Sequence, residues 1–92
     1  MCGIAGIMDT AGYREPGTDL LGRMNAAQFH RGPDDGGIHT EPGLGLGHRR
    51  LAIVDLSAAG HQPLFNAEGT VGVVYNGEIY NFRELRAELE GL

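Results

Sequence analysis

Cysteine stands at position 2, directly after the initiator methionine. Removing a methionine that precedes a small residue leaves a cysteine with a free α-amino group, so that a thiol and a base belong to one residue. The two groups suit each other in magnitude. An α-amine has a pKa of ~7.7–8.0, so about a tenth to a fifth of it is neutral at pH 7, close to where a general base is most useful. A thiol with a pKa of ~8.5 is only a few per cent thiolate there and gains from activation. An N-terminal amine acting on its own side chain is a known way to arm a nucleophile. Taken alone, position 2 is also simply a small residue, and its weight depends on what accompanies it.

Other residue types in the chain bear on such chemistry. Arg49 and Arg50 are adjacent guanidinium groups, whose planar fork grips a carboxylate through two bonds. Either is also readable as a surface arginine, Arg49 more so. The Asn76-Gly77 pair offers an amide N–H donor beside a glycine whose backbone N–H can be approached closely. On residue types alone it reads more readily as a hairpin turn. Histidines stand at 30, 39, 48 and 61, at spacings of 9, 9 and 13, with a single cysteine in the chain. These spacings match no compact zinc pattern, so no metal site is expected. His48, beside the arginine pair, reads as structural. Asp34-Asp35 lies in a Pro-Gly loop and reads as turn residues. Tyr75, Tyr80 and Phe82 read as core and staple residues.

The elements that must position these groups follow from pattern. Residues 3–9 read as a short strand whose glycines permit close approach, and 10–17 as a loop. Thr18 is a candidate N-cap for a helix over 19–29, with Leu20, Leu21, Met24, Ala27 and Gln28 near one face. Gly32-Pro33 ends it. Residues 31–37 form a glycine-rich acidic loop, and 37–41 a strand that turns at Pro42-Gly43 into a second one. The run 51–56 is apolar enough for a buried strand, 57–69 reads as loop and turn, and 70–75 is the clearest strand signal. A helix over 82–90 has Asn81 to cap it, Glu84 three residues on, a Tyr80–Leu85 staple, and Gly91 at its end. The order of strand, helix, several strands and helix predicts an α+β fold with a largely antiparallel sheet.

Composition narrows the function classes. The 92 residues are 41% hydrophobic and include 16 glycines. All seven basic residues are arginine, set against twelve carboxylates for a net charge of −5. An acidic chain with no basic cluster is a poor partner for nucleic acid or an anionic membrane. No apolar run reaches the ~18 residues of a membrane span, and the N-terminus has no signal-peptide pattern. The lone thiol fits a reducing compartment, so a cytoplasmic location is expected. A chain this short and glycine-rich, without a disulfide, is marginal as an independent unit. It reads as the front part of a larger protein.

Five motifs then align in order. Met-Cys-Gly-Ile-Ala-Gly at 1–6 is followed by Arg-Gly-Pro-Asp-Asp-Gly-Gly at 31–37 and Gly-His-Arg-Arg-Leu-Ala-Ile-Val-Asp-Leu-Ser at 47–57. Gly-His-Gln-Pro-Leu at 60–64 and Tyr-Asn-Gly-Glu-Ile-Tyr-Asn at 75–81 complete the set. Across essentially the whole chain this resembles the glutaminase domain of class II glutamine amidotransferases. Arg-Gly-Pro-Asp at 31–34 and Arg-Leu-Ala-Ile-Val-Asp at 50–55 make it most similar to glutamine-hydrolysing asparagine synthetases and their relatives.

The resemblance implies an N-terminal-nucleophile hydrolase fold, an αββα sandwich of which residues 1–92 form only the N-terminal part. It implies that Cys2 attacks the side-chain amide of L-glutamine, with Asn76 and Gly77 as the oxyanion hole. Arg50 would hold the substrate α-carboxylate, and backbone groups of Leu51, Ile53 and Val54 would line the pocket. Glu78 would face the α-ammonium, and a later aspartate would lie beyond residue 92. His48 and the 31–37 loop would take supporting roles. The resemblance assigns no cofactor to this segment. It places ATP and Mg²⁺ in a synthetase domain of the same chain, which would convert aspartate to asparagine, and it leaves a homodimer open. Two other readings stand beside it: an amidotransferase acting on another carboxylate acceptor, and a truncated, non-catalytic interaction module. The 92-residue piece alone is expected to be inactive.

Overall fold

Pro42 and Gly43 set the frame. In the computed structural model, which describes residues 1–53 and 56–92, Gly43 has φ +83°. That is the left-handed value required at the second central residue of a type II turn, and proline supplies the first. The turn folds β2 (Asp35–Glu41) back onto β3 (Leu44–Arg50). β1 (Gly3–Met8) pairs antiparallel with the other edge of β3, Gly3 opposite Arg49 and Met8 opposite Leu44. The sheet order is β1-β3-β2, so the last of the three strands in sequence is the central one. The expected antiparallel α+β arrangement is present.

Alternation along β3 gives its two faces different tasks. Gly45, Gly47 and Arg49 share one face, and α1 (Thr18–Ala27) lies on it. A Cβ on Gly45 would meet Leu21, and one on Gly47 would meet the Asn25 amide, so the absence of side chains lets the helix settle close. Leu21 is fully buried and is the one buried hydrophobic side chain among the described residues. Asn25, also buried, donates from Nδ2 to the carbonyls of Gly37 (3.0 Å) and His48 (3.1 Å), tying α1 to β2 and β3. The helix therefore docks through Leu21 of the expected face, with Met24 and Gln28 partly buried beside it, but the buried position next to Leu21 is Asn25, while Leu20 and Ala27 are exposed. It also starts one residue early. Gly17 is the cap, its carbonyl taking the Leu21 N–H, and Thr18 is already helical. Arg49 is no mere surface arginine: its Nε donates to Gly32 O at 2.8 Å and its guanidinium lies 4.9 Å from the Phe29 ring centroid.

The second half of the chain is built differently. A 3-10 turn (Ala58–Gly60) leads to a separate two-stranded ribbon, β4 (Leu64–Phe65) and β5 (Gly72–Val73), and then to α2 (Phe82–Glu90). The strand expected over 70–75 is thus only two residues long. Asn66 ties the connection into a tight loop, its Oδ1 accepting the N–H groups of Thr70 and Val71, which delays pairing until Gly72. The strand expected over 51–56 is absent at residues 51–53 and 56, where Ile53 and Leu56 are exposed; Val54 and Asp55 lie outside the described residues. α2 spans the expected residues, but Asn81 makes no side-chain cap bond. Tyr80 is 93% exposed, so the staple does not form, and neither Tyr75 nor Phe82 is core. Among the described residues no helix is long and apolar enough to cross a membrane.

Candidate active site

The face of β3 turned away from α1 carries His48 and Arg50. Continuing the β1–β3 register one step past Gly3–Arg49 sets Cys2 against Arg50. Cys2 is half-buried, and its Sγ receives the Leu51 N–H at 3.4 Å. Arg31 reaches from the glycine-rich loop to donate its Nε to the Cys2 carbonyl at 3.2 Å. Met1, in front of it, is 70% exposed. The backbone at the end of β3 and the 31–37 loop therefore fix the residue that carries the thiol.

Arg50 is held as closely. Its Nη1 donates to Ser57 O at 2.6 Å, and its guanidinium lies so near the Cα of Gly60 that a Cβ there would overlap it. The loop after the 3-10 turn is pinned from β2 as well. His61 Nδ1 lies 2.5 Å from Asp35 Oδ2, and a Cβ on Gly37 would strike the Gln62 carbonyl. Burial pushes the Asp35 carboxyl up, but the His61 hydrogen bond and charge, the Gly36 N–H and the Arg50 charge outweigh it and hold it below its usual value. Asp35 is thus a strand residue with an ionic partner, and Asp34 accepts the Ala52 N–H at 2.8 Å. Asp35 is therefore not the turn residue expected, whereas Asp34 lies at the bend that leads into β2.

These restraints open a cavity of about 220 Å³ at the sheet end. Of the residues singled out in the sequence, Cys2, Arg50, Leu51, Ile53, Gly77 and Glu78 line it. Asn76 does not line it and is exposed. Val54 lies outside the described residues. Asn76 and Gly77 have no positive φ. A type I′ hairpin needs positive φ at both central residues, so the hairpin alternative is set aside.

Gly60 and Gln62, which carry no site role in the sequence reading, and Tyr75, which reads there as core, also line the cavity. The signal was present in the Gly60–Leu64 and Tyr75–Asn81 motifs, but nothing local tells that Gln62 Oε1 accepts the Tyr75 N–H at 2.6 Å. His48 is structural, as expected: fully buried, with Nε2 3.1 Å from the Tyr75 carbonyl. A carbonyl only accepts, so Nε2 carries the proton. Burial pushes the imidazole pKa down, and the opposing pull of the Tyr75 carbonyl and the Asp35 charge does not restore it. Chemically, the cavity combines a thiol, a guanidinium, a carboxylate and a glycine N–H at one sheet end.

Comparison with known proteins bears on the chain as a whole. A family model described as "Glutamine amidotransferase domain" matches residues 1–92. Over 91 residues the chain is 45% identical to a glutamine-hydrolyzing asparagine synthetase of Bacillus subtilis, covering 97% of this chain and 12% of that protein. It is 46% identical over 89 residues to a glutamine-hydrolyzing asparagine synthetase of Triphysaria versicolor, covering 97% and 15%. To a putative asparagine synthetase of Methanocaldococcus jannaschii it is 42% identical, covering 94% and 20%. The chain thus spans no more than about a fifth of the length of these relatives. With the family model matching from the first residue to the last, the chain belongs to the glutamine amidotransferase domain family.

Proposed function

We propose that this chain is the leading part of a glutaminase that uses Cys2 as its N-terminal nucleophile and supplies ammonia to an asparagine synthetase domain. Removal of the exposed Met1 frees the α-amine, which takes the thiol proton. The sulfur attacks the side-chain amide carbon of glutamine, and the carbonyl oxygen becomes an oxyanion. Asn76 and the Gly77 N–H stabilise it; one such donor typically contributes ~3–4 kcal/mol to the transition state. The amine returns its proton to the leaving nitrogen, ammonia departs, and water cleaves the thioester to glutamate. Arg50 pairs with the substrate α-carboxylate, Glu78 offsets its ammonium, and backbone groups of Leu51 and Ile53 complete the wall.

In this reading α1 on the β1-β3-β2 sheet is one helix–sheet pair of an αββα N-terminal-nucleophile fold, and the β4–β5 ribbon begins the second sheet. The names of the relatives, glutamine-hydrolyzing asparagine synthetases, support aspartate as the ammonia acceptor. ATP and Mg²⁺ would serve the synthetase domain, and no residue of 1–92 is assigned to them.

The observation that carries the proposal is that Cys2, Arg50, Gly77 and Glu78, from separate segments, open on one small cavity. The test is ammonia release from glutamine by the full-length gene product. Cys2→Ala is expected to lower kcat by roughly 10⁴-fold or more, and mass spectrometry is expected to find Cys2 at the N-terminus. Undiminished hydrolysis by Cys2→Ala would refute the nucleophile. An active enzyme retaining Met1 would refute the amine as base.

A further inference from the structure

Residues 74–77 enter the cavity without secondary structure to hold them. β5 ends at Val73, and among the described residues no turn, loop or cap backbone–backbone hydrogen bond involves 74–77. Two side chains take over that task, and both act on Tyr75. Gln62 Oε1 accepts its N–H at 2.6 Å, and the buried His48 donates Nε2–H to its carbonyl at 3.1 Å. The N–H belongs to the peptide plane before Tyr75 and the carbonyl to the plane after it. Fixing both therefore sets the direction in which the chain runs into Asn76 and Gly77. The anchors are themselves rigid. His48 is in the central strand, two residues before Arg50 and on the same face. Gln62 follows His61, which is tied to Asp35 of β2, and its carbonyl is pressed against Gly37. The Tyr75 ring in turn lies against Gly77, where a Cβ would meet the phenol oxygen.

We infer that His48 and Gln62 are positioning residues, which grip the Tyr75 backbone from both sides and so set the course of the chain through Asn76 and present Gly77 to the cavity. The inference rests on the glutaminase reading above. It extends it by assigning the geometry of the oxyanion donors to a strand histidine and a loop glutamine that touch neither donor. Donor placement matters because a misplacement of about 1 Å can cost ~10²-fold in rate.

The experiment uses the full-length gene product and pairs each disabling variant with one that keeps the bond. Gln62→Met removes the acceptor at similar length, whereas Gln62→Glu keeps an acceptor oxygen. His48→Leu removes the donor, whereas His48→Gln keeps an N–H. Gln62→Met and His48→Leu are expected to lower kcat for glutamine hydrolysis about 10–100-fold with KM within about twofold. The bond-keeping partners are expected to recover most of the loss. Amide hydrogen exchange over 75–77 should accelerate in the disabling variants while β1 and β3 keep their protection. Equal kcat in Gln62→Met and Gln62→Glu, a loss confined to KM, or unchanged exchange over 75–77 would each overturn the inference. Should His48→Leu fail to fold, the Gln62 pair decides. If the wild-type enzyme hydrolyses no glutamine, the glutaminase reading fails, and the exchange measurement still judges the grip on Tyr75.

Discussion

Residues 1–50 and 56–92 solve the problem of folding in opposite ways. In the first, three strands and α1 close around Leu21, Asn25, His48 and Arg50, and every buried large side chain belongs to this part. In the second, neither the ribbon nor α2 has a buried residue, and Leu56, Val71, Leu89 and Leu92 are each at least 66% exposed. The radius of gyration of 14.6 Å exceeds the roughly 12 Å of a well-packed chain this long. The comparison teaches that the first region is stabilised by its own packing. The second holds its shape through local bonds and ties to the sheet such as His61 to Asp35, the Tyr75 carbonyl to His48, the Ser57 carbonyl to Arg50, and the Phe65 ring against that of His39.

Hydrogen exchange gives the largest expected contrast. Amides of β3 should exchange at least about 100-fold more slowly than those of α2 in the 92-residue chain, because few buried contacts mean low local stability. Equal protection in the two regions would break the comparison. Next in size, Leu21→Ala should destabilise the chain by about 3 kcal/mol in urea unfolding, since it empties the one apolar anchor. Gly47→Ala should cost about 1–3 kcal/mol in the same assay, because the added methyl meets Asn25.

A smaller effect is expected from His48. Its pKa is depressed in the folded state, so the unfolded chain binds more protons below its ordinary value near 6.5. The stability tied to the neutral imidazole is present above about pH 6.5 and is lost as pH falls toward the depressed folded value. Melting followed from pH 7.5 to 5 should show this decline, and His48→Gln should remove that part of the slope. The smallest effect is expected for Leu89→Glu. On an exposed face of α2 it should change the stability of the 92-residue chain by no more than about 0.5 kcal/mol. A loss comparable to that of Leu21→Ala would show that α2 belongs to the same packed unit as the sheet.

Legibility followed the same division. The β2–β3 hairpin could be read because Pro42-Gly43 dictates a local conformation, and α2 because its helical signal is local too. The docking face of α1 was legible at Leu21 but not at Asn25, a polar residue whose burial depends on two carbonyls that lie 12 and 23 residues away. The strand over 70–75 misled because Val-rich composition says nothing of whether a partner is available, and Asn66 consumes the amides of Thr70 and Val71. At the candidate site, Cys2, Arg50, Gly77 and Glu78 were nameable from motifs. Gln62 was given no role and Tyr75 was read as core, because a side-chain bond to a backbone amide 13 residues on leaves no periodic trace.

The strand order of the sheet carries a consequence for synthesis. Among the described residues β1 pairs only with β3, and the first pair that can form is Met8 with Leu44, so a growing polypeptide must extend by 36 residues past Met8 before its first strand has a partner. At about 5–20 residues per second on the ribosome, that interval is roughly 2–7 s. In the proposed glutaminase that interval gives an aminopeptidase time to remove Met1 before the hairpin captures the strand behind it.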